Sequence, residues 1–136
     1  MKKNGILNSD ISKLAADLGH TDCVCIGDCG LPVPNGVKKI DIALTYGSPS
    51  FEAVLKNYVE NVVVEKVWVA KEIIDNNPKQ LESIKSILPP SVEMEIITHI
   101  QFKESMEECK AVIRTGEITP FSNIILQSGA IEEFNL

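Results

Sequence analysis

The stretch SDISKLAADLGHTDCVCIGD, residues 9–28, contains the pattern that decides the fold. Its first half places apolar residues at the spacing of one buried helical face, with Ser9 suited to the N-cap: Ile11, Leu14, Ala15 and Leu18. Gly19 suits a left-handed position just after the helix. Residues 23–27, CVCIG, are a short apolar run typical of a buried strand. A helix that leads directly into a buried strand indicates an α/β fold.

The same alternation of strands and helices continues along the chain. Further strands are predicted at residues 37–44, 67–70, 92–96, 111–114 and 123–126. Helices are predicted to begin at Ser48-Pro49 and Asn77-Pro78, where a capping residue precedes a proline, and a short helix is predicted at 102–109. The sequence therefore predicts one domain, residues 1–136, an α/β sandwich with a parallel or mixed sheet flanked by helices.

Charge and hydropathy exclude several classes of partner. The formal net charge is −6 and the 13 Lys and Arg residues are scattered, whereas nucleic-acid binding depends on clustered basic residues. No basic amphipathic stretch predicts a membrane-surface helix, and no apolar run approaches the roughly 20 residues of a membrane span. The N-terminal residues do not resemble a signal peptide, so a cytoplasmic location is predicted. A small neutral ligand or a protein partner remains.

Motifs for nucleotide cofactors and for nucleophilic hydrolysis are missing from the sequence. The glycines do not form a phosphate-binding loop, and Ser48 and Ser50 lack the G-x-S-x-G pattern. We therefore predict no cofactor.

A metal site is a rival interpretation of the N-terminal cysteines. His20 with Cys23, Cys25 and Cys29 forms H-x2-C-x-C-x3-C, in which alternate strand residues share one face. This spacing differs from that of structural zinc sites, and cysteines inside an apolar strand more often serve as small core residues. We therefore predict no metal.

Ionisable residues at predicted element ends are candidates for a functional site: Asp28, His99 and Arg114. His20 follows the end of the first helix. Ligands of open α/β sheets bind beyond the carboxyl ends of the strands, which favours a functional role. Each residue also has a structural interpretation, because a helix dipole favours a terminal His, an Asp often shapes a turn, and Arg114 can pair with Glu117.

Five ordered motifs together resemble the ribose pyranase / fucose mutarotase family. They are KKNGILN at 2–8, LGHTD at 18–22, GLPVPNG at 30–36, KIDIAL at 39–44 and AVIRTGEITPFSNIILQSG at 111–129. The likeness extends over nearly the whole chain and is weakest from about Ser48 to Glu95. The GLPVP loop and the N-terminal GILN favour the ribose branch of the family over the fucose branch.

The resemblance implies that the chain interconverts the β-pyranose and β-furanose forms of free D-ribose. It also implies self-association into a ring-shaped homo-oligomer, with sites at subunit interfaces. By motif position His20 matches the family's proton donor, and sugar-contacting positions correspond to Asp28, His99 and Asn123. Phe121 stands where the family commonly has Tyr, so one hydroxyl contact to the sugar is missing, and Ser122 or the local backbone is the candidate replacement.

Histidine suits this chemistry because its unperturbed pKa of about 6.5 lets it give and take protons near neutral pH. Ring opening needs one proton removed from the anomeric hydroxyl and one delivered to the ring oxygen. We expect His20 to donate to the ring oxygen, and Asp28 either to accept a sugar hydroxyl or to orient the imidazole. His99 and Asn123 would hold other hydroxyls, and Phe121 would cover an apolar sugar face.

Two other functions stay open from the sequence. One is a fucose-type mutarotase, which keeps the mechanism and changes the sugar. The other is a non-catalytic sugar-binding module, which the missing Tyr hydroxyl at Phe121 favours.

Overall fold

The computed structural model describes residues 1–131, and residues 132–136 of the predicted domain lie outside the described residues. Six strands occupy β1 (Cys23–Gly27), β2 (Lys38–Asp41), β3 (Val64–Ala70), β4 (Glu93–Ile97), β5 (Ala111–Arg114) and β6 (Ile124–Ser128). Five helices occupy α1 (Ser9–Asp17), α2 (Phe51–Asn61), α3 (Ile73–Asn76), α4 (Pro78–Ile87) and α5 (His99–Ser105), followed by a 3-10 turn at Met106–Glu108.

The strands form one mixed sheet in the order β2-β5-β1-β6-β3-β4. β1, β2 and β5 are parallel, β3 and β4 are parallel, and β6 is antiparallel to both of its neighbours, β1 and β3. The predicted α/β class with a parallel or mixed sheet is therefore confirmed.

The antiparallel β6 defines two edges of the sheet. The carboxyl edge is the side of the sheet where β6 begins, at Ile124, and where the five parallel strands end, at Gly27, Asp41, Ala70, Ile97 and Arg114. At the amino edge, the first residues of the same strands meet the end of β6 at Ser128. Functional residues can be assigned to one edge or the other.

Alternate residues of each central strand enter two separate cores. In β1, Val24 and Ile26 pack with α1, α2 and α4 on one face, and the fully buried Cys25 packs with Phe102 and Met106 on the other. Cys25 is therefore a small core residue, as the two-residue strand repeat predicts. Among the helices described for residues 1–131, none has the length and hydropathy to cross a membrane.

Several predicted helix boundaries are wrong. Asn8 rather than Ser9 caps α1, accepting the Ile11 N–H at 3.0 Å. Ser50 caps α2, so the cis Ser48–Pro49 peptide precedes the helix. In each case a second capping side chain lies one or two residues away, and the sequence pattern does not choose between them.

Other elements also differ from their prediction. The left-handed residue after α1 is Thr21, with φ 75°, rather than Gly19. α5 begins at His99 rather than at 102, because Thr98 and Gln101 form a capping box. β3 begins three residues before the predicted start at 67, and α3 was not predicted.

Asn77 connects the start of α4 to the loop before β6. Its Oδ1 accepts the Gln80 N–H at 3.3 Å, and its Nδ2 donates to the Pro120 carbonyl at 2.9 Å and to Ser122 Oγ at 3.3 Å. The side chain is almost fully buried. One residue therefore serves as a helix cap and as an anchor of the loop.

We expect Asn77→Ala to lower the free energy of unfolding by about 2–3 kcal/mol, because a cap and buried hydrogen bonds are lost together. Asn8→Ala is the matched control: it removes an exposed cap alone and should lose about 1 kcal/mol. Urea unfolding of both variants measures the difference. Equal losses would contradict the role of Asn77 as a loop anchor.

Candidate functional site

Asp28 and Asn123 meet at the carboxyl edge because β1 and β6 are neighbours in the sheet. Asp28 directly follows β1, and Asn123 directly precedes β6. The Asp28 backbone N–H donates to Asn123 Oδ1 at 2.9 Å, and the Gly30 N–H donates to Asp28 Oδ1 at 2.9 Å. Asn123 is buried and Asp28 is half-buried. The two side chains are thus held in fixed positions by the backbone around them.

Burial raises the pKa of the Asp28 carboxyl, while hydrogen bonds from Gly30, Asn123 and Leu31 and the nearby His99 ring oppose that rise. A carboxylate in this setting has lost part of its water and keeps free acceptor capacity. It suits a ligand hydroxyl, which can replace the missing water.

His99 is the first residue of α5 and lies two residues after the end of β4, at the carboxyl edge. Its backbone N–H donates to the two carboxylate oxygens of Glu72 at 3.1 and 3.2 Å. Its ring stacks on Phe102 with centroids 6.4 Å apart, and it meets Phe121 edge-on at 5.1 Å. The Nδ1 atom is buried and has no hydrogen-bond partner within the described residues. A buried nitrogen without a partner is an expected contact for a ligand.

Phe121 and Ser122 lie in the loop before β6 and face different ways. Phe121 adopts a left-handed backbone, with φ 56°, and its half-buried ring contacts His99. Ser122 is fully buried, and its hydroxyl is engaged by side chains of the loop and of α4: Thr119, Asn77 and Gln80. The Ser122 side chain therefore supports the loop, and its role as a replacement for the Tyr hydroxyl stays a prediction.

His20 lies at the amino edge, between α1 and β1. The next residue, Thr21, donates its N–H to the Ser128 carbonyl at 3.0 Å, which fixes the turn to the end of β6. The imidazole is 53% exposed and lines a cavity of about 490 Å³ together with Leu18, Asn61 and Gly129. The side chain is therefore accessible and does not belong to the aliphatic core.

Glu65 is the partner of His20, and sequence analysis missed it. His20 Nε2 lies 3.1 Å from each oxygen of the Glu65 carboxylate, and the Gln127 amide donates to Glu65 Oε1. The hydrogen bond from Gln127, followed by the one from His20, lowers the pKa of Glu65. The β-branched residues Val62, Val63 and Val64 are the feature of the sequence that would have extended the strand back past this residue.

Within one chain the structure does not bring His20 to the other predicted residues. β1 separates His20 from Asp28, and its five residues span roughly 16 Å at the usual rise of a strand. Asp28 therefore does not orient the imidazole of its own chain. Asp28, His99, Phe121 and Asn123 form one group at the carboxyl edge, and His20 belongs to the other edge.

Arg114, a further candidate from the sequence, pairs with Asp41 at 3.0 Å rather than with Glu117. Its Nε also donates to the Cys29 carbonyl at 3.0 Å. These contacts join the ends of β2 and β5 to the loop that follows β1. Arg114 thus has structural contacts that account for its position.

The four cysteines are free thiols. Within residues 1–131, no three His, Cys, Asp or Glu side chains are grouped as metal ligands. Burial raises the pKa of the Cys25 thiol well above its ordinary value. A thiol that resists ionisation suits a core position.

The comparisons with known proteins agree on one family. The model of the RbsD / FucU transport protein family matches residues 1–131. A D-ribose pyranase of Lactococcus lactis subsp. lactis (strain IL1403) is 61% identical over 129 residues, covering 95% of this chain and 98% of the relative. One from Streptococcus agalactiae is 60% identical over 131 residues, covering 96% and 99%. The structure of Bacillus subtilis RbsD complexed with D-ribose matches with a TM-score of 0.92 and 47% identity, covering 96% and 98%.

We expect Asp28→Asn to stabilise the fold at pH 7 by less than about 1 kcal/mol, because a half-buried charge is removed and solvent screens the remainder. The raised pKa means that the native state takes up a proton before the unfolded chain does as the pH falls. The gain should therefore shrink as the pH falls toward 4, which urea unfolding at several pH values would measure.

Asp41→Asn is the control with the opposite sign. The Ala43 N–H, together with Arg114, holds the pKa of Asp41 below its ordinary value, so the charged form favours the fold. This variant should lose stability at pH 7, and the loss should shrink at low pH. A loss of stability in Asp28→Asn at pH 7 would contradict the cost of partly burying the Asp28 carboxylate.

Proposed function

Because this chain belongs to the RbsD / FucU transport protein family, we propose that it is an isomerase, a D-ribose pyranase that interconverts the β-pyranose and β-furanose forms of free D-ribose. Relatives that are about 60% identical over nearly the full chain are D-ribose pyranases. The similar Bacillus subtilis protein has D-ribose bound. The ribose branch therefore has stronger support than the fucose branch.

The observation that carries the proposal is the grouping of polar side chains with an aromatic ring at the carboxyl edge. The Asp28 carboxylate, the Asn123 amide and the unpartnered His99 Nδ1 supply acceptors and donors for sugar hydroxyls. Phe121 places an aromatic ring beside His99, suited to the apolar face of a sugar. This group of side chains supports the binding of a free monosaccharide.

The reaction that we propose has two proton transfers in ring opening and two in ring closing. In opening, a base takes the proton of the anomeric hydroxyl, the bond from C1 to the ring oxygen breaks, and His20 protonates that oxygen. In closing, a different hydroxyl attacks C1, and the two transfers reverse, so both groups regain their starting state. A positioned acid typically contributes 10²- to 10⁴-fold, which suits a cofactor-free reaction that also proceeds slowly in water.

We propose that each site is shared by two chains of a ring-shaped homo-oligomer. His20 lies at the amino edge, so a neighbouring copy is needed to bring an imidazole to the carboxyl edge. Large apolar side chains are exposed on segments that border the carboxyl edge: Leu44, Tyr46, Ile100 and Ile118. A group of exposed apolar residues is typical of an interaction surface. The cytoplasmic location stays a prediction.

We expect His20→Ala to slow the exchange between ribose ring forms by about 10²- to 10⁴-fold while ribose binding is kept, because an acid is lost and the sugar contacts remain. NMR saturation transfer measures the exchange. Lys13→Ala, an exposed change on α1, is the control. Normal exchange in His20→Ala would contradict the mechanism. Ribose binding without exchange in the unchanged protein would favour the sugar-binding module, and faster exchange of L-fucose would favour the fucose branch.

Mixing two inactive variants tests the shared site. In a random 1:1 oligomer of His20→Ala and Asp28→Asn chains, a site that takes each residue from a different chain is intact in about a quarter of cases. We expect about that share of the exchange rate to return after the two chains are refolded together. Each variant refolded alone is the control, and no recovery in the mixture would contradict the shared site.

A further inference from the structure

The contact between His20 and Glu65 determines which imidazole nitrogen is free. Glu65 lies 3.1 Å from His20 Nε2 through both carboxylate oxygens. An ionised carboxylate only accepts hydrogen bonds, so Nε2 carries the hydrogen. Nδ1 is then the acceptor nitrogen of the neutral ring and the second donor of the protonated ring.

A β-bulge aims Glu65 at His20. Val64 pairs with Ser128 and Lys66 pairs with Gln127, so Glu65 is an extra residue in β3 with no partner of its own in β6. Bulges re-aim a side chain out of the regular alternation and are frequent beside active sites. The direction of the Glu65 side chain is therefore set by the bulged backbone as well as by its rotamer.

Gln127 of β6 and Gly129, the residue after β6, both lie against Glu65. The Gln127 amide donates to Oε1. A Cβ on Gly129 would lie 2.9 Å from Val63 Cγ1 and 3.4 Å from the Glu65 Cβ, so a glycine allows the close approach of this segment. Gln127 of the neighbouring strand β6 thus helps to fix the position of the carboxylate.

The backbone of the His20 turn is anchored to the same end of β6. Thr21 donates its N–H to the Ser128 carbonyl at 3.0 Å, and Ser128 donates its N–H to the Asp22 carbonyl at 2.9 Å. The other charges nearby are engaged elsewhere: Asp22 faces Lys110, and Lys66 faces Glu93 and Glu95. Within the described residues, Glu65 is the charged group that contacts the imidazole.

We infer that Glu65 is a positioning residue for His20, holding Nε2–H so that Nδ1 is the nitrogen that exchanges protons with the sugar. The inference rests on the proposed function of the same site. In ring opening, Nδ1–H protonates the ring oxygen, while Nε2 keeps its hydrogen and its hydrogen bond to Glu65. In closing, Nδ1 takes the proton of the attacking hydroxyl, and the base returns its own proton to the former anomeric oxygen.

Glu65→Gln, Glu65→Asp and the unchanged protein should be compared by NMR saturation transfer across pH 5–9. We expect Glu65→Gln to lower the exchange rate about tenfold with the ribose KM within about twofold, because the imidazole loses the carboxylate that holds Nε2–H. Glu65→Asp keeps a carboxylate acceptor for Nε2–H and should restore part of the exchange rate. Glu95→Gln, an exposed carboxylate on β4, is the matched control and should change none of these.

The ¹⁵N shifts of the His20 ring, measured without sugar, test the hydrogen position directly. We expect the neutral ring to carry its hydrogen on Nε2 in the unchanged protein and to become a mixture of both forms in Glu65→Ala. A hydrogen on Nδ1, or an unchanged exchange rate in Glu65→Gln, would overturn the inference. If the unchanged protein shows no ribose exchange, the proposed function fails, and the ring shifts still decide the role of Glu65.

Discussion

The antiparallel strand β6 is the constraint on which the rest of the structure depends. Its hydrogen bonds to β1 and β3 place Asn123 at the carboxyl edge and Gln127 at the amino edge. Residues at opposite ends of one strand do not meet in the same chain. The group around Asp28 and the group around His20 are therefore the two halves of the proposed site. Within one chain, the sheet holds them at its opposite edges.

The half around Asp28 contains polar groups in settings that cost stability. Burial opposes the charge of Asp28, and His99 Nδ1 is buried without a partner. The non-glycine residues with positive φ in the described chain are Thr21, beside His20, and Phe121, beside His99. Strained backbone of this kind is often found at functional sites, where the surrounding fold holds it in place. Its occurrence in both halves agrees with a role for each.

The sequence predicted the fold class and the central strands because their apolar runs are short and well bounded. β1 and β5 match their predicted ranges, and the Asn77–Pro78 start of α4 is confirmed. Boundaries failed where two capping residues competed, as at Asn8 and Ser9. Local pattern does not separate such alternatives, because either side chain can accept the same backbone hydrogen.

The candidate site was predictable only in part. Sequence motifs indicated His20 and Asp28, and their separation follows from β1, which the sequence also predicted. The grouping of Asp28 with Asn123 and His99 depends on strand order, which the local pattern does not contain. The bulge at Glu65 and the inward hydroxyl of Ser122 arise from contacts between distant segments.

The bulge also gives the sheet a place where chain length can change. Deleting one residue from a regular strand turns every later side chain to the opposite face. Glu65 is already the unpaired residue between Val64 and Lys66, so its removal would leave Val64 opposite Ser128 and Lys66 opposite Gln127, in continuous register. A shortened descendant of this chain could thus keep its interior packing intact and lose only the carboxylate, which makes this position a natural point of divergence between members that share the architecture.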